Sequence, residues 1–513
     1  MDTLDQLFAG FGDFVDSPLM IVLAAAGVLL GTVVGLLPGL GPSTAIALLL
    51  PVALTLDPAP ALILMVAIYL GAEFGGRISA ILLNMPGDAG AIMTTLDGYP
   101  LARSGRAGTA LTASALASFV GTIVSVLGLV FLAGPLSDVG LAFGPAAYFA
   151  VVIMALVLSG TLVGESLLRG GIAVLLGLMV ATIGIDTQAG VPRFTFGISE
   201  LLNGIDPIVP IIGLFGLGEI FWSVGHPVRN GEDAPVRVSG GLWPRWHEVA
   251  TLRWTVLRGS LLGFIAGVLP GSGTTLASFF AYSLEKKISR HPEEFGKGAI
   301  QGVAAPEAAN NAAVGGSMVP MFTLGIPGSG TTAVLLAYLV MYGLDPGPSF
   351  FTQHGDLAWV VIASMFVSAV LALIINVPLI PMFAKILEVP RHLLFPVIMV
   401  LALLSGYALN NSVFDALMTL VFGVVGYLMR AARLSTALLV IGLVLGTMLE
   451  RSFRQAYLLS HGSLSDMLLQ PLSLAFLGIA VLAILGDVVR AFLARRRTAT
   501  QADAQRETAS AER

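Results

Sequence analysis

The chain contains no cysteine. Disulfides, thiolate metal sites and cysteine nucleophiles are therefore excluded. Charge is nearly as scarce: 11% of residues are Asp, Glu, Lys or Arg, where a water-soluble domain carries roughly 25%. A chain this short of charge cannot cover its surface in water. Aromatic residues make up only 8%, and the apolar runs are about 15–25 residues long rather than the ~10-residue alternating segments of a barrel. No Gly-x-x-x-x-Gly-Lys loop for ATP and no His-Glu-x-x-His metal signature occurs. The six histidines suggest no site, since His226, His247, His291 and His354 fall in loops and His392 and His461 flank apolar segments.

What the chain does have is 56% hydrophobic residues, a mean hydropathy of +0.90 and 60 glycines. These point to an all-α polytopic membrane protein, with glycines for close helix packing and broken helices. The net charge of −5 decides little, because in a membrane protein the distribution of charge matters more than its sum.

Residues 1–17 hold Asp2, Asp5, Asp13 and Asp16 and no Lys or Arg, the reverse of a signal peptide, so no cleavable signal is expected. Leu4, Leu7, Phe8, Phe11 and Phe14 recur at helical spacing, which suits an amphipathic helix lying on the membrane or packed on the protein. The spacing then predicts a first transmembrane half over 18–225, a cytoplasmic linker over 226–253, a second half over 254–493 and a disordered cytoplasmic tail over 494–513. Spans are expected near 18–37, 43–55, 60–83, 91–101, 108–134, 145–163, 170–185 and 205–225. The second half continues with 254–269, 275–284, 299–326, 331–343, 358–384, 392–408, 412–429, 435–450 and 470–492.

Four of these runs are broken by Pro-Gly strings. Pro327-Gly328-Ser329-Gly330-Thr331-Thr332 repeats the six letters at 270–275, and looser relatives stand at 38–44 and 86–90. Proline removes a backbone donor and glycine admits conformations other residues avoid. Unwound backbone at membrane depth survives only where it lines a cavity or is buried in protein. Restarting helices aim N–H groups and partial positive charge at such a cavity, which favours an anion. Carbonyls of the ending helices suit a cation. The competing reading of any single break is a kink that helps helices pack.

The expected substrate-binding set is Gly39, Ser43, Thr44, Asn84, Pro86, Gly87, Gly271, Ser272, Thr274, Thr275, Asn310, Asn311, Gly328, Ser329, Thr331 and Thr332. Hydroxyls and amides there supply neutral donors for carboxylates. Charged side chains near the breaks are functional candidates by default. Glu73, Arg77, Asp88 and Glu307 are candidates for ion coupling or an anion clamp, while Asp97 also lies near a break. Arg77 is open to two readings, a fork for a carboxylate or an ion pair with Glu73 four residues earlier. For Asp88 and Glu307, helix capping competes with binding a cation or proton. Glu219 reads as a satisfied buried polar group. No resident metal or cofactor is expected beyond a coupling ion, Na+ or H+.

The halves look like repeats. Gly31, Gly35, Pro38, Gly39, Gly41 and Ala45 match Gly263, Gly267, Pro270, Gly271, Gly273 and Ala277, with Ser43 facing Thr275. Gly75-Gly76 and Pro86-Gly87 match Gly315-Gly316 and Pro327-Gly328 with a one-residue gap. Loop charges suggest inversion. Residues 55–59 carry no Lys or Arg, but the matching loop 285–298 carries Lys286, Lys287, Arg290 and Lys297. Arg103 and Arg106 are matched by a 345–356 loop with none. Basic loops prefer the cytoplasm, so matching loops lie on opposite sides, as in transporters whose repeats meet at a mid-membrane site. Parity puts the N-terminus outside and the C-terminus inside. Arg193, Arg451 and Arg454 then fall outside and count against the map.

The strings GLLPGLGP at 35–42, GGRISAILLNMPGD at 75–88, GVLPGSG at 267–273, and PEAANN at 306–311 running to Thr332 carry a further likeness. Across nearly its whole length the chain resembles the large membrane subunit, TctA type, of the tripartite tricarboxylate transporters. The resemblance implies a secondary carrier of the bacterial inner membrane that works with a small TctB-like membrane subunit and a periplasmic TctC-like solute-binding protein. It implies uptake of a citrate-like di- or tricarboxylate driven by an ion gradient rather than ATP, with no nucleic-acid partner. The alternatives are a passive anion channel and a membrane-embedded enzyme. An intramembrane serine protease built on Gly271-Ser272-Gly273 would need a His or Lys base at membrane depth, and none is placed there.

Overall fold

A computed structural model describes residues 3–163, 166–186, 189–226, 236–238, 241–271, 273–387, 389 and 391–489. Ser272, residues 227–235 and 239–240 of the expected linker, and the 494–513 tail lie outside these residues. Among the described residues, eleven helices are long and apolar enough to cross a membrane.

An N-terminal helix, α1 (Thr3–Val15), buries Leu7, Gly10 and Phe14. A Cβ on Gly10 would stand 2.6 Å from the Trp359 carbonyl, so this helix packs on the protein along that face. Helices α2 (Pro18–Gly35) and α3 (Pro42–Leu54) flank the first break. The second break separates α4 (Pro58–Leu83) from α5 (Ile92–Leu101). Then come α6 (Ala107–Leu141), α7 (Pro145–Val163), α8 (Leu167–Ala181) and α9 (Ile208–Gly225), the last containing a π-helical turn at Ile212–Leu217. In the second half, α10 (Trp246–Val268) and α11 (Gly273–Ile288) flank the third break, and α12 (Ile300–Leu324) and α13 (Gly330–Met341) the fourth. The chain closes with α14 (Gly355–Asn376), α15 (Arg391–Asn410), α16 (Val413–Ala431), α17 (Thr436–Leu459) and α18 (Pro471–Val489).

Several boundaries differ from the expected ones. The span expected at 170–185 ends at Ala181, and two short antiparallel strands, Gly184–Ile185 and Pro192–Arg193, follow it. The last residues of the expected linker already belong to α10. The span expected at 435–450 runs on to Leu459, because its charges are paired: Arg454 Nη2 meets Asp186 Oδ2 at 2.6 Å and Arg193 Nη1 meets Glu450 Oε1 at 2.8 Å.

Helices α4 and α12 form the centre. In α4 the most apolar window is 94% buried. Helix α12 is buried almost end to end, although it carries Glu307, Asn310 and Asn311. Those polar groups keep it out of the set of span-like helices, and protein rather than lipid surrounds them. By contrast α15, α16 and α18 are only 22%, 28% and 11% buried and present apolar faces outward.

The two halves repeat one packing scheme. A Cβ on Gly31 would meet the Ile68 carbonyl at 2.2 Å, and one on Gly263 the Ala309 carbonyl at 2.2 Å. Gly35 lies as close to the Ala72 carbonyl (2.2 Å) as Gly267 does to that of Ala313 (2.4 Å). The contacts also fix the register. Gly75 touches Thr32 and Gly316 touches the matching Phe264, so Gly75 corresponds to Gly316 and Gly76 to Ser317. The glycine pairs are therefore offset by one residue from the expected match, and no gap intervenes before Pro86 and Pro327. At the breaks, Gly39 N–H donates to the Gly87 carbonyl (3.2 Å) and Gly271 N–H to that of Gly328 (3.0 Å).

Loops of like charge come together. Arg106 pairs with Glu248 (2.5 Å), and Asp97 accepts N–H bonds from Gly296, Gly298 and Ala299, so the basic loops near 103–106, 245–248 and 290–299 adjoin. The ends of the helices leading to the two loops without Lys or Arg also meet, where the Tyr342 hydroxyl donates to the Leu54 carbonyl (3.3 Å).

Candidate functional site

The four breaks surround one cavity of about 710 Å³. That lies within the ~300–1,000 Å³ typical of small-molecule sites. The first break contributes Gly39, Ser43 and Thr44, and the second Pro86, Gly87 and Asp88. The third contributes Gly271, Thr274 and Thr275, and the fourth Ser329, Gly330 and Thr331. The first residues of α3, α11 and α13 are all in the lining, so three helix N-termini open onto the space. Free N–H groups and the positive end of the helix dipole favour an anion there.

Bonds between the halves hold the hydroxyls in place. Ser43 Oγ and Thr331 Oγ1 lie 2.9 Å apart, joining the first break to the fourth. Ser278 Oγ donates to the Gly90 carbonyl (2.7 Å), joining the third to the second. Thr44 donates to the Phe215 carbonyl within the π-helical turn of α9 (3.1 Å). Ser329 caps α13: its Oγ accepts the Thr332 N–H (3.2 Å), and Thr332 Oγ1 accepts the Ser329 N–H (2.8 Å). This is a capping box with threonine in the usual glutamate position.

Among the described residues, four charged side chains line the cavity: Glu73, Asp88, Glu219 and Arg430. Glu73 Oε2 accepts from Asn310 Nδ2 of the other half (2.9 Å). Asp88 Oδ2 accepts the Gly90 N–H (2.8 Å), while its Oδ1 is buried without a hydrogen-bond partner among the described residues. A Cβ on Gly76, one turn beyond Glu73, would stand 2.8 Å from that Oδ1, so Asp88, in the break, packs beside the stretch of α4 that carries Glu73. Arg430 forms an ion pair with Glu219.

A family model described as the tripartite tricarboxylate transporter TctA family matches residues 21–441. The chain belongs to that family. A protein of Agrobacterium vitis, described as an uncharacterized 52.8 kDa protein in the TAR-I ttuC' 3'region, is 41% identical over 486 residues, which cover 94% of this chain and 95% of the relative. Another from the same organism, described as an uncharacterized protein in the TAR-II ttuC' 3'region, is 40% identical over 223 residues, 44% of this chain and 92% of that one. No solved structure matches.

Not every expected site residue of this TctA-family chain reaches the cavity. Asn84 adopts a left-handed conformation (φ 55°) that ends α4. Asn310 stands behind Glu73, and Asn311 Nδ2 donates to the Glu307 backbone carbonyl (3.1 Å). Gly328 packs on Ser317, and Thr332 is spent on the cap. Arg77 and Glu307 belong to a separate buried cluster between α5, α6 and α12. There Glu307 accepts from Thr94 (2.6 Å) and Ser118 (3.0 Å), and Arg77 Nη1 donates to the Leu111 carbonyl (2.7 Å) and Ser114 Oγ (2.8 Å). No ion pair joins Arg77 to Glu73. The sequence reading did not include Tyr69, Ser435, Thr436, Glu219 or Arg430 in the site, and all of them line the cavity. The available signal was Glu219 itself, a lone acid in an apolar span. Its partner lies 211 residues away.

Proposed function

We propose that this TctA-family chain is the permease subunit of a secondary transporter that takes up di- or tricarboxylate anions by alternating access. The reading rests above all on the cavity ringed by four helix breaks, whose N-termini and hydroxyls suit carboxylate oxygens. Glu73 and Asp88, two acids at depth with no cationic side chain bonded to either among the described residues, are the proposed place for a coupling Na+ or H+. The family description, of a tripartite transporter, supports two further components, which we take to be a small membrane subunit and a periplasmic solute-binding protein working with this chain in the inner membrane.

The repeats are proposed to be inverted, with the N-terminus outside and the C-terminus cytoplasmic. Two observations support this. The basic loops adjoin one another, and the helix ends leading to the two loops without Lys or Arg meet at Tyr342 and Leu54. Cysteines introduced singly at Ser289 and Ser349 are expected to react with an impermeant maleimide from opposite faces of the membrane. Labelling from a single face removes the inversion.

The decisive assay is uptake of labelled citrate by cells carrying the chain with its partner subunits, across a panel that includes succinate and malate. A carrier concentrates solute against its gradient and stops when the ion gradient is collapsed. A channel only equilibrates, and equilibration alone overturns the reading.

A further inference from the structure

The lining of the cavity is acidic, which is awkward for an anion site. Among the described residues, Arg430 is the one cationic side chain that lines it, against Glu73, Asp88 and Glu219. Its ion pair is uneven. Glu219 is the buried partner, with a side chain 16% exposed, whereas Arg430 is 42% exposed. One guanidinium nitrogen engages one carboxylate oxygen, leaving the rest of the planar fork uncommitted to that acid. The guanidinium also stands over the Trp222 ring, 5.1 Å from its centre, a position that keeps the charge in place when the acid contact breaks.

Glu219 is fixed from the other side. Its Oε1 is buried, has no hydrogen-bond partner among the described residues, and lies 2.9 Å from where a Cβ on Gly39 would be. Gly39 has φ +91°, a conformation that favours glycine, so the first break leaves room for this carboxylate. Glu219 follows the π-helical turn at Ile212–Leu217, and π turns within helices are common at functional positions. Glycines face glycines between α9 and α16, with Gly218 against Gly426, so the two halves of the pair sit on closely apposed helices.

We propose that Arg430 is the counter-charge for a substrate carboxylate, and that Glu219 is an internal stand-in for that carboxylate which the substrate displaces. A single-point contact gives way to the two-point contact an arginine fork makes with a free carboxylate. Solutes without a carboxylate cannot make the exchange, so the pair acts as a filter for anions as well as a ligand. The inference rests on the transport reading above.

Three variants of the full chain, expressed with its partner subunits, test it through saturation curves for labelled citrate. Glu219→Gln keeps the shape and removes the competitor, so the half-saturating concentration is expected to fall about tenfold, as befits loss of a close charge pair. Arg430→Ala is expected to raise it by about a hundredfold, with Arg430→Lys between, because lysine keeps the charge without the fork. The exchange Glu219→Arg with Arg430→Glu restores an ion pair but places the cation on the wrong helix, and uptake is expected to stay lost. If the pair is merely a structural tie, the exchange recovers wild-type uptake and Glu219→Gln weakens citrate as much as Arg430→Ala does. Either result overturns the inference while leaving the carrier intact. Absence of carboxylate uptake by the wild type overturns the transport reading instead, and this inference with it.

Discussion

Asp97→Ala is expected to leave almost no folded protein in the membrane. Asp97 is fully buried, and its Oδ1 accepts three backbone N–H bonds, from Gly296 (2.9 Å), Gly298 (2.8 Å) and Ala299 (2.8 Å). Its Oδ2 accepts the Tyr282 hydroxyl at 2.8 Å. These donors lie just before Ile300, where α12 begins, so the carboxylate also faces the positive end of the central helix. Gly302 has no side chain because Oδ2 lies 2.1 Å from where its Cβ would stand. Alanine removes the acceptor of all four donors and strands the two that are buried, the Ala299 N–H and the Tyr282 hydroxyl. At about 1–3 kcal/mol for each buried unsatisfied group, added to the lost anchor of the turn, the loss is a large share of the ~5–15 kcal/mol that holds a typical fold together. Asp97→Asn keeps one carbonyl acceptor and is expected to fall between. Yield of monodisperse protein after detergent extraction, with its melting temperature, measures both. A normal yield from the alanine variant would mean that the 296–299 turn holds without this anchor.

Asp97 also marks the limit of sequence reading here. Its nearness to a break was visible, but its role depends on a loop about 200 residues later. What could be read was whatever is written locally. The four breaks are spelled out in proline and glycine, and the close packing of α2 on α4 and of α10 on α12 follows from glycines at helical spacing. Even there, adjacent glycines at 75 and 76 allowed a match one residue off, and only the contacts of Gly75 with Thr32 and Gly316 with Phe264 separate the alternatives. Within a restarting helix, successive residues point about 100° apart. Thr331 therefore lines the cavity while Thr332 turns into the cap. Arg77 and Glu307 stand beside the breaks in the sequence, yet helix rotation carries them to the cluster with Thr94 and Ser114. Pairs such as Arg430 with Glu219 and Arg454 with Asp186 join distant segments, and nothing local signals them.

Glu73→Gln and Asp88→Asn are each expected to abolish accumulation of citrate while leaving exchange of external for internal citrate in place. Ionised carboxylates at membrane depth are costly, and Glu73 on α4 and Asp88 packed beside Gly76 of the same helix repel one another as well. The bonds they receive, from Asn310 and from the Gly90 N–H, are too few to offset this, and Asp88 Oδ1 receives none. Such a pair calls for a proton or a cation, and a cation taken up and released together with the anion is what ties uptake to a gradient. Each positive charge carried through 100 mV contributes about 2.3 kcal/mol, or roughly fiftyfold in the concentration ratio. Losing one coupled charge should therefore lower the steady-state ratio by about that factor, to near equilibration. Exchange needs no net movement of the coupling ion and survives. Proteoliposomes with imposed Na+ or pH gradients separate the two ions, because only the true driver supports accumulation by the wild type. A Glu73→Gln protein that still concentrates citrate as the wild type does would move the coupling site elsewhere, and the Glu307 cluster with Thr94 and Ser118 would be the next place to test.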